Sequence, residues 1–345
     1  MRIELVGDNA TPLWGMSNAE RVTRIARENG WSVGAGTGPA VRVDLAYAFD
    51  PAWLRHIAAR PNSMLTSAGH RVLVNGDGTG ERFAAEDERG ILDEALRKRE
   101  RPFVLPLTPA NVPAIERASY QGAYKGVTDL LTKYLWPQWA FHLTRAAARI
   151  GATPNMVTAL GTALCVVATV AFWHGWFWSG LVTGLVFMVL DTVDGKLARC
   201  TVTSSRLGNA WDHGIDLVHP PFWWWAWAVG CLPYGRPLPD ETFWAVMAAM
   251  VAGYIGQRII EGAFIVRFGM HIHVWRRFDS DFRLVTARRN PNMVLLFAGL
   301  LVGRPDWGIV AVAAWTVVSL VVHLVRLAQA LAVRARGGAV VSWLA

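Results

Sequence analysis

The chain has 345 residues, of which 53% are hydrophobic and 17% charged, with a mean hydropathy of +0.26. Soluble proteins carry about 25% charged residues, so this composition, with eighteen tryptophans and long apolar runs, points to a bilayer. A net charge of +8 suits nucleic acid in a soluble protein. Here the basic residues cluster beside apolar stretches, and no stacking platform or basic recognition helix is seen, so nucleic acid is set aside as a partner.

Residues 1 to about 110 read as a small cytoplasmic α/β domain. SNAERVTRIARENG (17–30) has helical spacing, with Ser17 as N-cap, Glu20 three residues on and Gly30 as the stop. VRVDLAYAF (41–49) and HRVLVNG (70–76) read as strands. A second helix is expected over 85–99. GAGTGP (34–39) and NGDGTGERF (75–83) are glycine-rich but lack the context of a phosphate loop, so ordinary turns are expected. MRIELVGDNATPLWG has no apolar core of a secretory signal. Cys165, Cys200 and Cys231 fit neither a disulfide framework nor a zinc site.

Residues 111–151 form a linker and a juxtamembrane stretch. The mixture of Lys, Arg, Trp and aliphatics over 120–150 suits an interfacial amphipathic helix, kinked or divided at Pro137. From 152 to 335 the pattern is transmembrane, with helices expected at 155–176, 178–200, 206–233, 240–266, 291–305 and 307–333, and 336–345 is a C-terminal tail. The expected fold is mainly α: a six-transmembrane-helix bundle preceded by a small soluble α/β domain and the interfacial helix. Basic residues crowd the second and fourth connections and the C-terminal end, which predicts that these and both termini are cytoplasmic.

The chemistry concentrates in DTVDGKLARCTVTSSRLGNAWDHGID (191–216). Asp191 and Asp194 are three apart near the end of one helix, and Asp212 and Asp216 four apart near the start of the next. Such spacings put side chains on one face, so four carboxylates can face one cleft. Together in an apolar bundle they need a counter-charge. Mg2+ or Mn2+, hard cations that prefer oxygen, would supply it and could hold a diphosphate. The competing readings of these acids are helix caps or partners of Arg199 and Arg206. For the chain as a whole, the alternatives are an ion-conducting protein with a metal-binding acidic cluster or a non-catalytic membrane scaffold. His213, His219 and HIH (271–273) read as packed or loop histidines.

The pattern Asp191-x2-Asp194-Gly195-x2-Ala198-Arg199-x8-Gly208-x3-Asp212-x3-Asp216 resembles the signature of the CDP-alcohol phosphotransferases (phosphatidyltransferases) at all eight fixed positions. The resemblance covers about 125–335 and includes TPNMVT (153–158). It implies a membrane enzyme that moves a substituted phosphate from a CDP-linked donor to an alcohol acceptor, releasing CMP, in phospholipid biosynthesis. Asp191, Asp194, Asp212 and Asp216 would hold two ions, and Asp216 would be the general base. Gly195, Ala198, Arg199, Gly208, Asn155 and Thr158 would border the CDP pocket. The resemblance also implies a homodimer with its active site on the cytoplasmic side.

Arg276, Arg277, Arg283, Arg288 and Arg289 suit the phosphate of an acceptor such as inositol phosphate or glycerol phosphate, and equally suit topology and anionic lipid. Residues 13–30 are faintly similar to a cytidylyltransferase domain found before the membrane part of some relatives, here expected to have lost catalysis.

Overall fold

The computed structural model describes residues 1–86, 90–94 and 96–345. The chain divides into two compact units. The first comprises residues 1–126, 141–154 and 193–205, and the second 127–140, 155–192 and 206–345.

The first unit is built on β1 (Arg2–Val6), α1 (Asn18–Glu28), β2 (Ser32–Val33), β3 (Ala40–Asp44), β4 (Tyr47–Phe49), α2 (Pro51–Ala58), β5 (Met64–Ser67), β6 (His70–Asn75) and β7 (Arg82–Ala84). Six of these strands form one sheet in the order β2-β1-β3-β6-β5-β7. β1 runs parallel to β2 and β3, whereas β6 is antiparallel to β3 and β5. Ile3, Val41, Val43, Leu65 and Leu73 are buried with Val22 and Ile25 of α1 and Leu54 and Ile57 of α2, which forms the core.

α1 begins as expected, with the Ser17 hydroxyl accepting from the Glu20 N–H (3.1 Å), and the chain turns out of it at Gly30 with φ +70°. The run 41–49 breaks into β3 and β4 because the Asp44 carboxylate accepts from the Ala46 N–H (2.9 Å) and turns the chain. Both glycine-rich pieces are turns, with Gly34, Gly38, Gly76 and Gly78 at positive φ.

The helix expected over 85–99 is not formed where the chain is described. β8 (Ile91–Asp93) pairs antiparallel with β9 (Lys98–Glu100), while residues 87–89 and 95 lie outside the described residues. The Asp93 carboxylate accepts from the Leu96 N–H (2.9 Å), and Arg97 is left-handed at φ +54°. These local bonds reverse the chain, and Lys98 then donates to the Gly122 carbonyl (2.8 Å). Such long-range anchoring overrides helix propensity. β10 (Val104–Pro106) pairs with β4, and α3 (Val112–Gly122) follows.

The expected interfacial helix is divided. A π-helical turn (Leu131–Leu135) leads directly into α4 (Trp136–Arg149), with Pro137 just past the junction.

The remaining helices are α5 (Pro154–Trp173), α6 (Phe177–Thr201), α7 (Arg206–Gly230), α8 (Asp240–Phe268), α9 (Arg277–Arg283), α10 (Arg289–Leu301) and α11 (Pro305–Ala335). Six of them answer to the six expected, but only α5, α8 and α11 are long and apolar enough to cross a membrane by length and composition. This corrects the expectation of six such helices. The second half of α6 carries Asp191, Asp194, Lys196 and Arg199, α7 opens with Arg206, Asp212 and Asp216, and α10 has only 13 residues.

The core of the second unit is aromatic. Phe172, Phe177, Phe187, Trp223 and Trp227 pack together, with the Trp227 indole N–H donating to the Pro305 carbonyl (3.0 Å). Where α10 meets α11, a Cβ added at Gly299 would lie 2.7 Å from the Gly308 Cα, so the helices touch backbone to backbone. Gly299→Val is expected to cost about 1–3 kcal/mol by overpacking, read as a lower Tm in detergent. Gly262→Ala, which meets nothing within 4 Å, should leave Tm unchanged or slightly raised.

Candidate active site

α6 carries Asp191, and α7 carries Asp212 and Asp216 one turn apart on one face. Carboxylate oxygens of these three residues all lie within 4.8 Å of one another. Exposure rises across the group, from 17% for the Asp191 side chain to 46% for Asp216. One end of the group is therefore held in the interior and the other open. Asp194 lies three residues beyond Asp191 on α6, in the portion belonging to the first unit, and is buried. The group gathered in the second unit is Asp191, Asp212 and Asp216.

Three acids this close repel one another, and the structure meets that charge with Arg289, the first residue of α10. Its Nη2 donates to Asp191 Oδ2 (2.6 Å) and its Nη1 to Asp216 Oδ1 (2.6 Å). The guanidinium also lies over the Phe187 ring, 5.0 Å from its centroid. A cation thus already sits between two of the acids. Oxygen-only donors around a positive charge are the donor set of a hard divalent ion, so these residues fit one.

The next residue fixes the start of α10. The Asn290 side-chain amide donates to Asp129 Oδ1 (2.9 Å), and Asp129 also accepts from the Thr132 hydroxyl (2.8 Å). Neither Asp129 nor Asn290 was singled out in the sequence. Asp129 is an isolated acid in a basic stretch and Asn290 stands in RNPN, so only that isolation could have marked them.

The five arginines of 276–289 part company. Arg289 joins the acids. Arg288 donates to Glu261, which also accepts from His273 Nε2 (3.2 Å) and Arg258 Nη1 (3.4 Å). Arg276 is exposed and lies over Trp275, Arg277 is exposed, and Arg283 is half-buried. Oxygen and ring-nitrogen atoms of Glu261, His273 and His323 also come within 4.8 Å of one another. The Glu261 charge is already matched by Arg258 and Arg288, so this group ties α8, the 272–274 turn and α10 together as an ion network. The sequence reading assigned HIH a loop role and missed Glu261 and His323.

Among the remaining sequence candidates, Gly208 is half-buried one turn before Asp212, and Asn155 and Thr158 lie in the first two turns of α5, Thr158 buried. Gly195, Ala198 and Arg199 belong to the first unit. A Cβ at Gly195 would come 3.2 Å from Arg199 Nη2, so the glycine lets that arginine fold back along its own helix. His213 is exposed, 3.7 Å from Asp212. His219 is buried, its Nδ1 2.7 Å from the Ile215 carbonyl and its ring edge-on to Phe187, a packing role.

Residues 152–277 match the family model of CDP-alcohol phosphatidyltransferases. The chain is 34% identical over 134 residues to cholinephosphotransferase 1 of Gallus gallus, covering 35% of this chain and 38% of the relative. It is 31% identical over 179 residues to cholinephosphotransferase 1 of Homo sapiens, covering 48% and 41%. It is 33% identical over 138 residues to phosphatidylinositol phosphate synthase of Mycolicibacterium smegmatis, covering 37% and 60%. The chain thus spans between about two-fifths and three-fifths of the length of these curated relatives. The segment that matches the CDP-alcohol phosphatidyltransferase model contains all eight signature positions and all three gathered acids.

Proposed function

We propose that the chain transfers a substituted phosphate, either phosphatidyl or a phospho-alcohol, from a CDP-linked donor to an alcohol with release of CMP. The observation that carries this reading is the Asp191–Asp212–Asp216 group with a cation already between its members, inside the family-matched segment. In this reading Asp191, Asp212, Asp216 and, by the signature, Asp194 would hold two divalent ions, Mg2+ or Mn2+, which when bound would neutralise the diphosphate of the donor. Asp216, the most open acid of the three, takes the proton of the acceptor hydroxyl as that oxygen forms its bond to the phosphorus distal to cytidine. The P–O bond to CMP breaks, and CMP leaves with the electron pair. Gly195, Ala198, Arg199, Gly208, Asn155 and Thr158 border the CDP moiety.

A phosphorylated acceptor is favoured by the arginines that follow α8. Arg276, Arg277 and Arg283 lack carboxylate ion pairs among the described residues, whereas Arg288 and Arg289 would have to leave Glu261 and the acids to join them. A bilayer setting is supported by the exposed Leu160, Val166, Val167 and Val170 on α5, one of the three helices long and apolar enough to cross it. Leu135, Trp139 and Leu143, exposed around α4, suit contact with the membrane surface. Both termini and the active site are assigned to the cytoplasm by the loop charges, and a homodimer by the family. The N-terminal α/β part, residues 1–110, is assigned to folding, partner binding or regulation rather than to the transfer.

The test is CMP release by the purified protein in detergent. CDP-diacylglycerol is offered with glycerol phosphate, inositol phosphate, inositol or serine, and CDP-choline, CDP-ethanolamine or CDP-inositol with lipid alcohols. Release with one pair, abolished by chelation and restored by Mg2+ or Mn2+, is expected. Metal binding without release from any pair would sink the assignment in favour of a scaffold, and metal-independent ion flux would favour a conducting protein.

A further inference from the structure

The first unit contains a cavity of about 660 Å³, within the range of small-molecule sites. Its wall includes Arg21 of α1, Ser119 of α3 and Arg199 near the end of α6. Arg21 is 1% exposed. Its Nη2 donates to the Phe49 carbonyl (2.8 Å), but Nε and Nη1 are buried without a hydrogen-bond partner. No carboxylate among the described residues forms an ion pair with it. A buried guanidinium left this way is costly unless an anion completes it.

The acids of the cavity do not fill that role. The Asp50 carboxylate caps α2, accepting from the Ala52 N–H (2.8 Å). Burial holds the Asp50 carboxyl above the ordinary carboxylate range, which weakens it as a counter-charge, although Lys98, Arg21 and Arg55 act in the other direction. Asp93 is paired with Arg55 (3.4 Å). Glu28 and Glu94 also line the cavity. They disfavour a polyanion and suit hydroxyl or amine groups instead.

We propose that this cavity binds a small molecule carrying a single phosphate group, held by Nε and Nη1 of Arg21, with Ser119 also in the lining. The shared chemistry is a phosphate, whether free or borne on a polyol or a nucleoside. Its lining includes none of Asp191, Asp212 and Asp216, and the proposal stands whether or not the transfer reaction does.

The test uses full-length protein in detergent carrying Asp191→Asn and Asp212→Asn, so that phosphate and metal binding at the acidic group does not contribute. Inorganic phosphate, glycerol phosphate and CMP are titrated by calorimetry and by thermal unfolding, with glycerol and cytidine as controls. At least one phosphate-bearing probe should bind and raise Tm, the controls should not, and the three arms identify what carries the phosphate. Arg21→Met should weaken that binding at least about tenfold. Without ligand it should unfold at no lower temperature than its parent, since an apolar chain of similar length needs no anion. If Arg21→Met does not fold, Arg21→Gln keeps a donor for Phe49 and should show the same loss. No binding by any probe, or binding undiminished in a folded Arg21 variant, would overturn the proposal.

Discussion

Asp216→Asn is expected to lower the rate of CMP release by about 10³-fold or more, with little change in Tm. The size follows from the two tasks assigned to this side chain, since proton transfer by a positioned group contributes about 10²–10⁴-fold and a metal ligand adds charge stabilisation. Stability should hold because the amide is nearly isosteric, and its oxygen can still accept from Arg289 Nη1, as Oδ1 does now at 2.6 Å. What is lost is basicity and one negative charge. The Asp216 side chain is 46% exposed, so the neutral amide carries little desolvation penalty. The loss should fall on kcat more than on KM, because a proton acceptor acts in the transition state. A variant that keeps activity within tenfold of its parent would remove Asp216 from the role of base, whatever becomes of the family assignment.

How far the site could be read in advance depends on how local each interaction is. The spacing of Asp212 and Asp216 already put both on one helical face, and the structure brings them to Asp191. Helix propensity and apolar runs located α5 to α8, α10 and α11 to within a few residues. What stayed hidden was pairing. Arg288 and Arg289 are neighbours in sequence, yet Arg288 is the extended N-cap and Arg289 the first helical residue, so their side chains leave in different directions. One reaches Glu261 and the other reaches Asp191 and Asp216. No pattern along a single strand of sequence distinguishes them, because the choice belongs to how α8, α6 and α7 surround α10. The β8–β9 hairpin escaped for the same reason, since LRKRE has good helix propensity and its reversal depends on the Asp93 side chain and on Lys98 reaching Gly122. The spans were over-counted because length was weighed without the charges in the second half of α6.

Arg289→Met is expected to destabilise the metal-free protein by about 3 kcal/mol, the lower end of what removing one partner of a buried pair costs. The loss belongs mainly to Asp191, whose side chain is 17% exposed, whereas the Asp216 end is solvent-screened and contributes little. The same change should sharpen the response to divalent ions. In the parent, an ion entering among Asp191, Asp212 and Asp216 must displace a guanidinium that makes two 2.6 Å contacts. In the variant no cation competes, so the half-saturating Mg2+ or Mn2+ concentration in a thermal titration should fall about tenfold or more. Saturating metal should recover most of the lost Tm, because an ion that binds only the folded state stabilises it in proportion to the logarithm of its concentration over Kd. Arg288→Met provides the contrast. It should also lower Tm, by leaving the Glu261 charge to His273 and Arg258, but metal should give no greater recovery than in the parent. An Arg289→Met protein with weaker metal response than its parent would mean that Arg289 helps to assemble the acids for the ion rather than standing in its place. The two neighbouring arginines would then have to be read as one scaffold holding α10 against α6, α7 and α8.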